Sequence, residues 1–228
     1  MGKITETLPK PLIPVAGIPA VVHVIEGIRS AGITEFILVT GYLEDQVRST
    51  LGTGESLGVR ITYIHQDKQL GTGHAVGLTR PLAAGFPVLL AYADIMTSPA
   101  NYERLINHFS QERCDIAAAV RRVDDPWRAA AVYVDAENNI QRIIEKPPIG
   151  TSTTPWAHAG MYCFSSEIYD YVQQLQPSSR GEYEITDAVS SMIRDKHKCH
   201  AVEMTGYWKD LATMEDVHEA EAMMLNPG

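Results

Sequence analysis

Two aspartates, a glutamate–lysine pair and a glutamine ahead of a glycine-bearing turn are the residues here whose types and settings could do chemistry. Asp94 ends an apolar run, where a carboxylate can hold Mg2+ while the ion keeps much of its water. Asp210, in Gly206-Tyr207-Trp208-Lys209-Asp210-Leu211, is a candidate second ligand. In Glu145-Lys146-Pro147 a carboxylate can accept bonds from two sugar hydroxyls, and an ammonium can neutralise a phosphate. Gln66 precedes Leu70-Gly71-Thr72-Gly73-His74-Ala75. Glycines at 71 and 73 let the backbone approach a flat ligand closely, and a glutamine amide can pair with a pyrimidine edge through both its groups. Each feature also has a plainer explanation. A strand-end Asp is commonly a cap, Glu-Lys before Pro is commonly an exposed strand end, and the two glycines suit any strand–loop–helix junction. His74 reads as a packing residue at a helix start. His197, Cys199 and His200 lie close together without a second ligand cluster, so no structural zinc is expected from them.

The elements that must position these residues change character along the chain. In the first half, Pro19 can open a helix whose apolar face is Val21, Val22, Val24, Ile25 and Ile28, closed by Ala31-Gly32. Residues 36–41 read as a buried parallel strand, 43–51 as a short helix, 60–64 as a strand, and a helix is expected from Gly73. Residues 88–92 form a third strand that runs into Ala93-Asp94. This rhythm predicts a Rossmann-like, doubly wound α/β fold with a mixed, mainly parallel sheet, in which ligands bind beyond the C-terminal strand ends. In the second half, 116–123, 132–134, 140–144 and 160–164 are strand-like with short connections, and 135–139 is a hairpin turn. Residues 147–155 form a loop, and helices are expected at 166–175, 185–196 and 213–225. The expectation is one domain over 1–228 in two halves, 1–114 and 115–228, which the family resemblance described below makes the nucleotide half and the sugar-binding half.

Composition narrows the classes. The 228 residues are 45% hydrophobic, enough for a sizeable core. A net charge of −9 argues against a general nucleic-acid or anionic-membrane surface, yet leaves room for a nucleotide held by a few lysines and backbone amides. Cys114, Cys163 and Cys199 are odd in number and widely spaced, so a reducing, cytoplasmic setting is expected rather than a disulfide framework. No membrane span or signal peptide pattern is read. Assembly into a homo-oligomer stays open.

Leu8-Pro9-Lys10-Pro11-Leu12-Ile13-Pro14-Val15-Ala16-Gly17 resembles the substrate-phosphate segment of the sugar-1-phosphate nucleotidylyltransferases, such as glucose-1-phosphate thymidylyltransferases and N-acetylglucosamine-1-phosphate uridylyltransferases. Further matches follow in order: Gln66 with the Gly-Thr-Gly loop, Asp94, Glu145-Lys146-Pro147, the Gly160 strand in His158-Ala159-Gly160-Met161-Tyr162, and Trp208-Lys209-Asp210. Each is weak alone, and six in order are strong. The resemblance implies transfer of a nucleotidyl group from a nucleoside triphosphate to a sugar 1-phosphate, with Mg2+ as cofactor and release of pyrophosphate. UTP or dTTP is favoured, because Gln66 and its loop are similar to those of pyrimidine-specific members. The implied roles are Lys10 and Lys146 on phosphates and Asp94 and Asp210 on the metal. Gln66, Gly71 and Thr72 would hold the base, and Glu145 and Gly160 the sugar. Residues 180–187 also match a family segment and are read mainly as structure, with Thr186-Asp187 beginning a helix.

The departures from the family pattern matter. The family carries an apolar first strand and a Gly-rich loop ending in Gly-Thr-Arg, and Met1-Gly2-Lys3 stands just after the place of that arginine. Such a strand contributes several buried side chains at roughly 1.5–3 kcal/mol each, against a whole-domain stability of about 5–15 kcal/mol. The expectation is therefore that the natural protein starts upstream and that Met1 is internal. With the last residue at Gly228, no β-helical or acyltransferase domain is expected. Ala93, Ala212 and Ala130 stand where the family often has glycine. These departures keep two other readings open: a non-catalytic nucleotide-sugar-binding or regulatory subunit, and a cytidylyltransferase for an alcohol phosphate.

Overall fold

A computed structural model describes residues 7–225, so Met1-Gly2-Lys3, the segment expected to follow a Gly-rich loop, lies outside the described residues. The chain has an α/β fold and divides into two compact units, each assembled from separated segments. One comprises the described residues up to Lys68 together with Ala91–Glu103 and those from Thr205 onward; the other comprises Gln69–Leu90 and Arg104–Met204.

The first unit opens with a small hairpin, β1 (Pro14–Val15) and β2 (Ile18–Pro19). Its two-residue turn has positive φ at both Ala16 (51°) and Gly17 (79°), the geometry that matches the twist of paired strands. Pro19 caps helix α1 (Ala20–Ser30), whose Val21, Val24, Ile25 and Ile28 are buried as the helical period predicts. Strand β3 (Glu35–Thr40) leads to helix α2 (Glu44–Leu51), and strand β4 (Arg60–His65) pairs with β3 in parallel. Val21 and Ile25 pack with Val47, Leu51 and Ile61 in one apolar cluster.

The remaining segments of this unit interlock with it. Along the chain, helix α3 (Thr72–Ala83) and strand β5 (Val88–Ala91) precede strand β6 (Ile95–Thr97) and helix α4 (Ala100–Glu112). Then come β7 (Ile116–Arg122), β8 (Ala130–Val134), β9 (Ile140–Glu145) and β10 (Trp156–Phe164), helices α5 (Ile168–Val172) and α6 (Ile185–Arg194), β11 (Cys199–Glu203), β12 (Trp208–Asp210) and helix α7 (Met214–Leu225). In the first unit β12 pairs antiparallel with β6. Met96 of β6 and Leu211 beyond β12 are buried with Ile13, Val15, Val217 and Ala220. Asn101 braces the ribbon by donating from Nδ2 to Thr97 Oγ1 (2.8 Å) and the Thr205 carbonyl (2.9 Å).

The second unit is built on a six-stranded mixed sheet in the order β11-β7-β10-β8-β9, with β5 also paired to β10. The β11–β7 pair is parallel, and the β7–β10, β10–β8 and β8–β9 pairs are antiparallel. Residues 116–120 of β7 are all buried, as in a strand covered on both faces. The β8–β9 turn forms where expected: Asp135 accepts from the Glu137 and Asn139 N–H groups, and Asn138 takes φ 65°. Helix α5 is shorter than the 166–175 expected, because 173–175 continue only as single turns ahead of Pro177. Cys114, Cys163 and Cys199 are free thiols. Among the described residues no helix is long and apolar enough to cross a membrane.

Candidate active site

Within the first unit, Lys10 begins a single 3-10 turn (Lys10–Leu12) anchored by the buried Leu12. Its ammonium lies 3.3 Å from Asp94 Oδ2, and both side chains keep contact with water (41% and 28% exposed). Asp94 immediately precedes β6, and its carbonyl accepts the Leu211 N–H at 3.0 Å. Asp210 pairs with Ile95 one rung away. The ribbon thus holds the backbones of the two aspartates side by side, although they are far apart in sequence. Two partly solvated carboxylates are the hard oxygen donors that a magnesium-type cation takes alongside water. Gln66 follows β4, and its N–H donates to the Thr40 carbonyl at 2.7 Å, so it sits at the C-terminal end of the parallel β3–β4 pair. That is where ligands meet open α/β sheets. Ala93, where a glycine was expected, packs partly buried against the apolar cluster of this unit.

Within the second unit, Glu145 ends β9 opposite Ala130 of β8. The carboxylate accepts from Thr186 Oγ1 at 3.2 Å and faces Arg180 Nη1 at 3.6 Å; the same nitrogen lies 3.2 Å from Glu184 Oε1. Burial raises the Glu145 carboxyl above the usual carboxylate range. The negative charge of Glu184 adds to the rise, while Lys146, Thr186 and Arg180 oppose it. Lys146 is exposed and takes φ 39°, a left-handed conformation that costs energy for a lysine. Its N–H donates to the Ala129 carbonyl at 3.1 Å, so the β8–β9 ladder itself holds that turn.

The glycine-bearing loop serves packing directly. A methyl group on Gly71 would lie 2.7 Å from the Tyr183 carbonyl oxygen, and one on Gly73 would lie 2.5 Å from Leu175 Cδ1 and 2.8 Å from that oxygen. Tyr183 N–H donates to the Leu70 carbonyl (2.7 Å), and Gly73 N–H to the Tyr183 carbonyl (2.8 Å), stitching the loop to 182–184. Thr72 Oγ1 accepts the Ile185 N–H at 3.2 Å, which satisfies an orphan donor at the start of α6. The His74 ring stands 6.3 Å from that of Tyr183, in keeping with a packing role. Gly160 is buried in an irregular stretch of β10, with φ 83°, where register with β7 shifts between His158 and Tyr162.

Sequence reasoning treated 180–187 as structure and so missed Arg180 and Thr186 as neighbours of Glu145. The signal was the charge density of Arg180-Gly181-Glu182-Tyr183-Glu184, which has no use on a simple helix start. None of the candidate residues lines the cavity of about 190 Å3 in the first unit, which is bounded by His23, Gly27, Thr97, Tyr102 and Tyr207 among others.

Comparisons with known proteins place the chain among relatives. The family model described as Nucleotidyl transferase matches residues 2–226. The low-salt glycan biosynthesis nucleotidyltransferase Agl11 of Haloferax volcanii is 34% identical over 223 residues, covering 97% of this chain and 62% of that protein. The bifunctional protein GlmU of Methanococcus maripaludis (strain S2) is 34% identical over 227 residues, covering 98% of this chain and 51% of that protein. The chain thus spans about half to three-fifths of the length of these curated relatives. Among solved structures, a Bacillus anthracis protein described as a glucose-1-phosphate thymidylyltransferase superposes with TM-score 0.88 at 28% identity, covering 100% of this chain and 91% of that one. A UDP-glucose pyrophosphorylase crystallised with UDP-glucose superposes with TM-score 0.87 at 21% identity, covering 99% and 93%, and shares the fold.

Proposed function

This chain belongs to the nucleotidyl transferase family, and from that premise we propose that it transfers a nucleotidyl group from a nucleoside triphosphate to a sugar 1-phosphate. The products are a nucleotide sugar and pyrophosphate. Agl11 and glucose-1-phosphate thymidylyltransferases, at 34% and 31% identity, point to this substrate class. UTP or dTTP is the donor, read by Gln66. The observation that supports the proposal most is the Lys10–Asp94 pair at 3.3 Å, beside a short ribbon whose backbone carries Asp94 next to Asp210.

The sugar phosphate oxygen attacks the α-phosphorus in line, and pyrophosphate leaves with the bridging electron pair. Because negative charge builds on phosphoryl oxygens, positioning and cationic groups supply most of the rate. Asp94 and Asp210 would hold Mg2+, whose bound form neutralises phosphate charge. Lys10 and Lys146 bind phosphate oxygens, and a ligand phosphate competes with Asp94 for the Lys10 ammonium. Glu145, oriented by Thr186 and Arg180, accepts bonds from sugar hydroxyls, and the backbone at Gly160 lies along the sugar. Gly71 and Thr72 support the base through the loop that Tyr183 holds. No covalent intermediate is required.

The direct test is pyrophosphate release by the 228-residue chain, with each common nucleoside triphosphate crossed with several hexose 1-phosphates, with and without Mg2+. Metal-dependent release with UTP or dTTP and one sugar phosphate is expected. A folded chain that binds nucleotide sugars but releases no pyrophosphate would replace this reading with that of a binding subunit.

A further inference from the structure

A cluster of ligating side chains with no part in the proposed reaction lies within the second unit. Helix α4 ends in a tight reversal: Arg113 takes φ 52°, and the Cys114 N–H donates to the Phe109 carbonyl at 3.1 Å. That reversal tucks Cys114, only 5% exposed, against the end of the helix that carries His108. Strand β7 starts two residues later and pairs in parallel with β11, whose His200 is 7% exposed. Three elements thereby converge. His108 Nε2 lies 3.1 Å from His200 Nδ1, and one ring nitrogen of each histidine and the Cys114 sulfur all lie within 4.8 Å of one another.

We propose that His108, Cys114 and His200 form a zinc site, with water as the fourth ligand. Tetrahedral zinc with Zn–N bonds of about 2.0–2.1 Å holds two imidazole nitrogens ~3.3 Å apart, close to the spacing already present between the rings. A donor set of two imidazoles and one thiolate selects zinc over the magnesium-type cations that oxygen ligands take. All three residues are fixed by backbone hydrogen bonds of a helix, its C-terminal turn and a sheet, so little ordering remains to be done on binding.

The proton balance is simple. Zinc displaces the thiol proton of Cys114 to solvent. The proton now shared between the rings moves to the nitrogen opposite the metal, Nδ1 of His108 or Nε2 of His200. The alternative is a hydrogen-bonded histidine pair beside an inert thiol. In the resulting fold, zinc clips the end of α4 to β11 and stabilises the unit by mass action.

The test strips metal from the full chain, saturates it with Mg2+, and titrates it with Co2+ and then Zn2+. One equivalent of Co2+ with a thiolate-to-cobalt charge-transfer band, displaced by Zn2+, is expected. Cys114→Ser, which is nearly isosteric, should abolish the band, whereas Cys163→Ser should retain it. His108→Ala and His200→Ala should each weaken zinc by more than the ~10–100-fold typical of outer-shell partners. Zinc should raise the melting temperature of the unsubstituted protein. Absence of the band, its survival in Cys114→Ser, or a melting temperature unmoved by zinc would each overturn the site.

Discussion

Lys10 Nζ stands 3.3 Å from Asp94 Oδ2, across 84 residues of sequence. Both side chains remain in contact with water, and such pairs contribute only ~0–1 kcal/mol to stability. The arrangement therefore contributes little to stability, which is consistent with the phosphate and metal roles proposed for the two residues. Asp94→Asn should lower kcat/KM by roughly 10²–10³-fold, the effect of removing one preorganised charge-stabilising group. Lys10→Met should do the same, mainly through KM for the phosphate-bearing substrates. Neither should move the melting temperature by more than a few degrees. Steady-state kinetics paired with thermal unfolding checks this, and near-normal turnover in Asp94→Asn would remove that carboxylate from the mechanism.

Glu145 gives a second test with a defined sign. Burial, with Glu184 adding to it, raises its folded pKa above the ordinary carboxyl value of 4.5. Between 4.5 and the raised value the folded chain binds more protons than the unfolded one. Stability contributed by this group therefore falls as pH rises through that window, and the deficit persists above it. Glu145→Gln removes the deficit while keeping an acceptor for Thr186. The variant should be more stable than the parent at neutral pH, and the gain should shrink as the pH falls through that window toward 4.5. The KM for sugar 1-phosphate should rise about ten- to hundredfold, as expected for loss of hydrogen bonds to a charged group. A variant no more stable at pH 7 than its parent would contradict the argument.

The parts legible in the sequence are those whose pattern is local. The apolar stripe of α1 and the runs of β3 and β4 announce themselves through period and length, and Gln66 and Asp94 stand at ends of such runs. The ribbon that holds Asp210 does not. Strands β6 and β12 have three residues each, too few for a period, and their pairing joins distant positions such as Ile95 and Asp210. Helix α4, which the sequence reading leaves without an element, carries the same kind of signal as α1: Tyr102, Leu105, Ile106 and Phe109 fall at helical spacing with polar residues between them. Arg180 looks like a surface charge until the fold sets it between Glu145 and Glu184. His200 likewise meets His108 and Cys114 only because β11 pairs with β7. The interleaving of the two units has the same origin, since contacts between distant segments leave no trace in a local pattern.

His158 makes the second unit sensitive to acid. Its Nδ1 accepts the Gly160 N–H at 3.3 Å and its Nε2–H donates to the Met161 carbonyl at 3.1 Å, so the neutral ring is the form that fits. Burial holds its pKa down at about 4, against an ordinary value of 6.5. Between these values the unfolded chain takes up a proton that the folded chain refuses. Stability is therefore fully present above 6.5 and declines as pH falls toward 4, by an amount on the order of 3 kcal/mol. Denaturant titrations across that range should show a shallower decline in His158→Gln, whatever its absolute stability. An unchanged slope would mean that other groups govern the acid limit.

Gly73 separates packing from ligand binding in the 70–75 loop. If the loop glycines exist only to admit a flat ligand, Gly73→Ala should leave the stability of the isolated protein intact and weaken nucleotide binding. The geometry argues otherwise. The added methyl would lie 2.5 Å from Leu175 Cδ1 and 2.8 Å from the Tyr183 carbonyl oxygen. The leucine tip can swing away, but the carbonyl is held by the Gly73 N–H at 2.8 Å, and moving it disturbs the adjoining start of α6. Overpacking of this kind costs about 1–3 kcal/mol, partly offset by the better helix propensity of alanine. Gly73→Ala should therefore lower the unfolding free energy without any nucleotide present. The shift of 182–184 should also perturb Arg180 and so raise the KM for sugar 1-phosphate as well as for nucleotide. A variant as stable as its parent, with only nucleotide binding impaired, would return the glycine to the ligand.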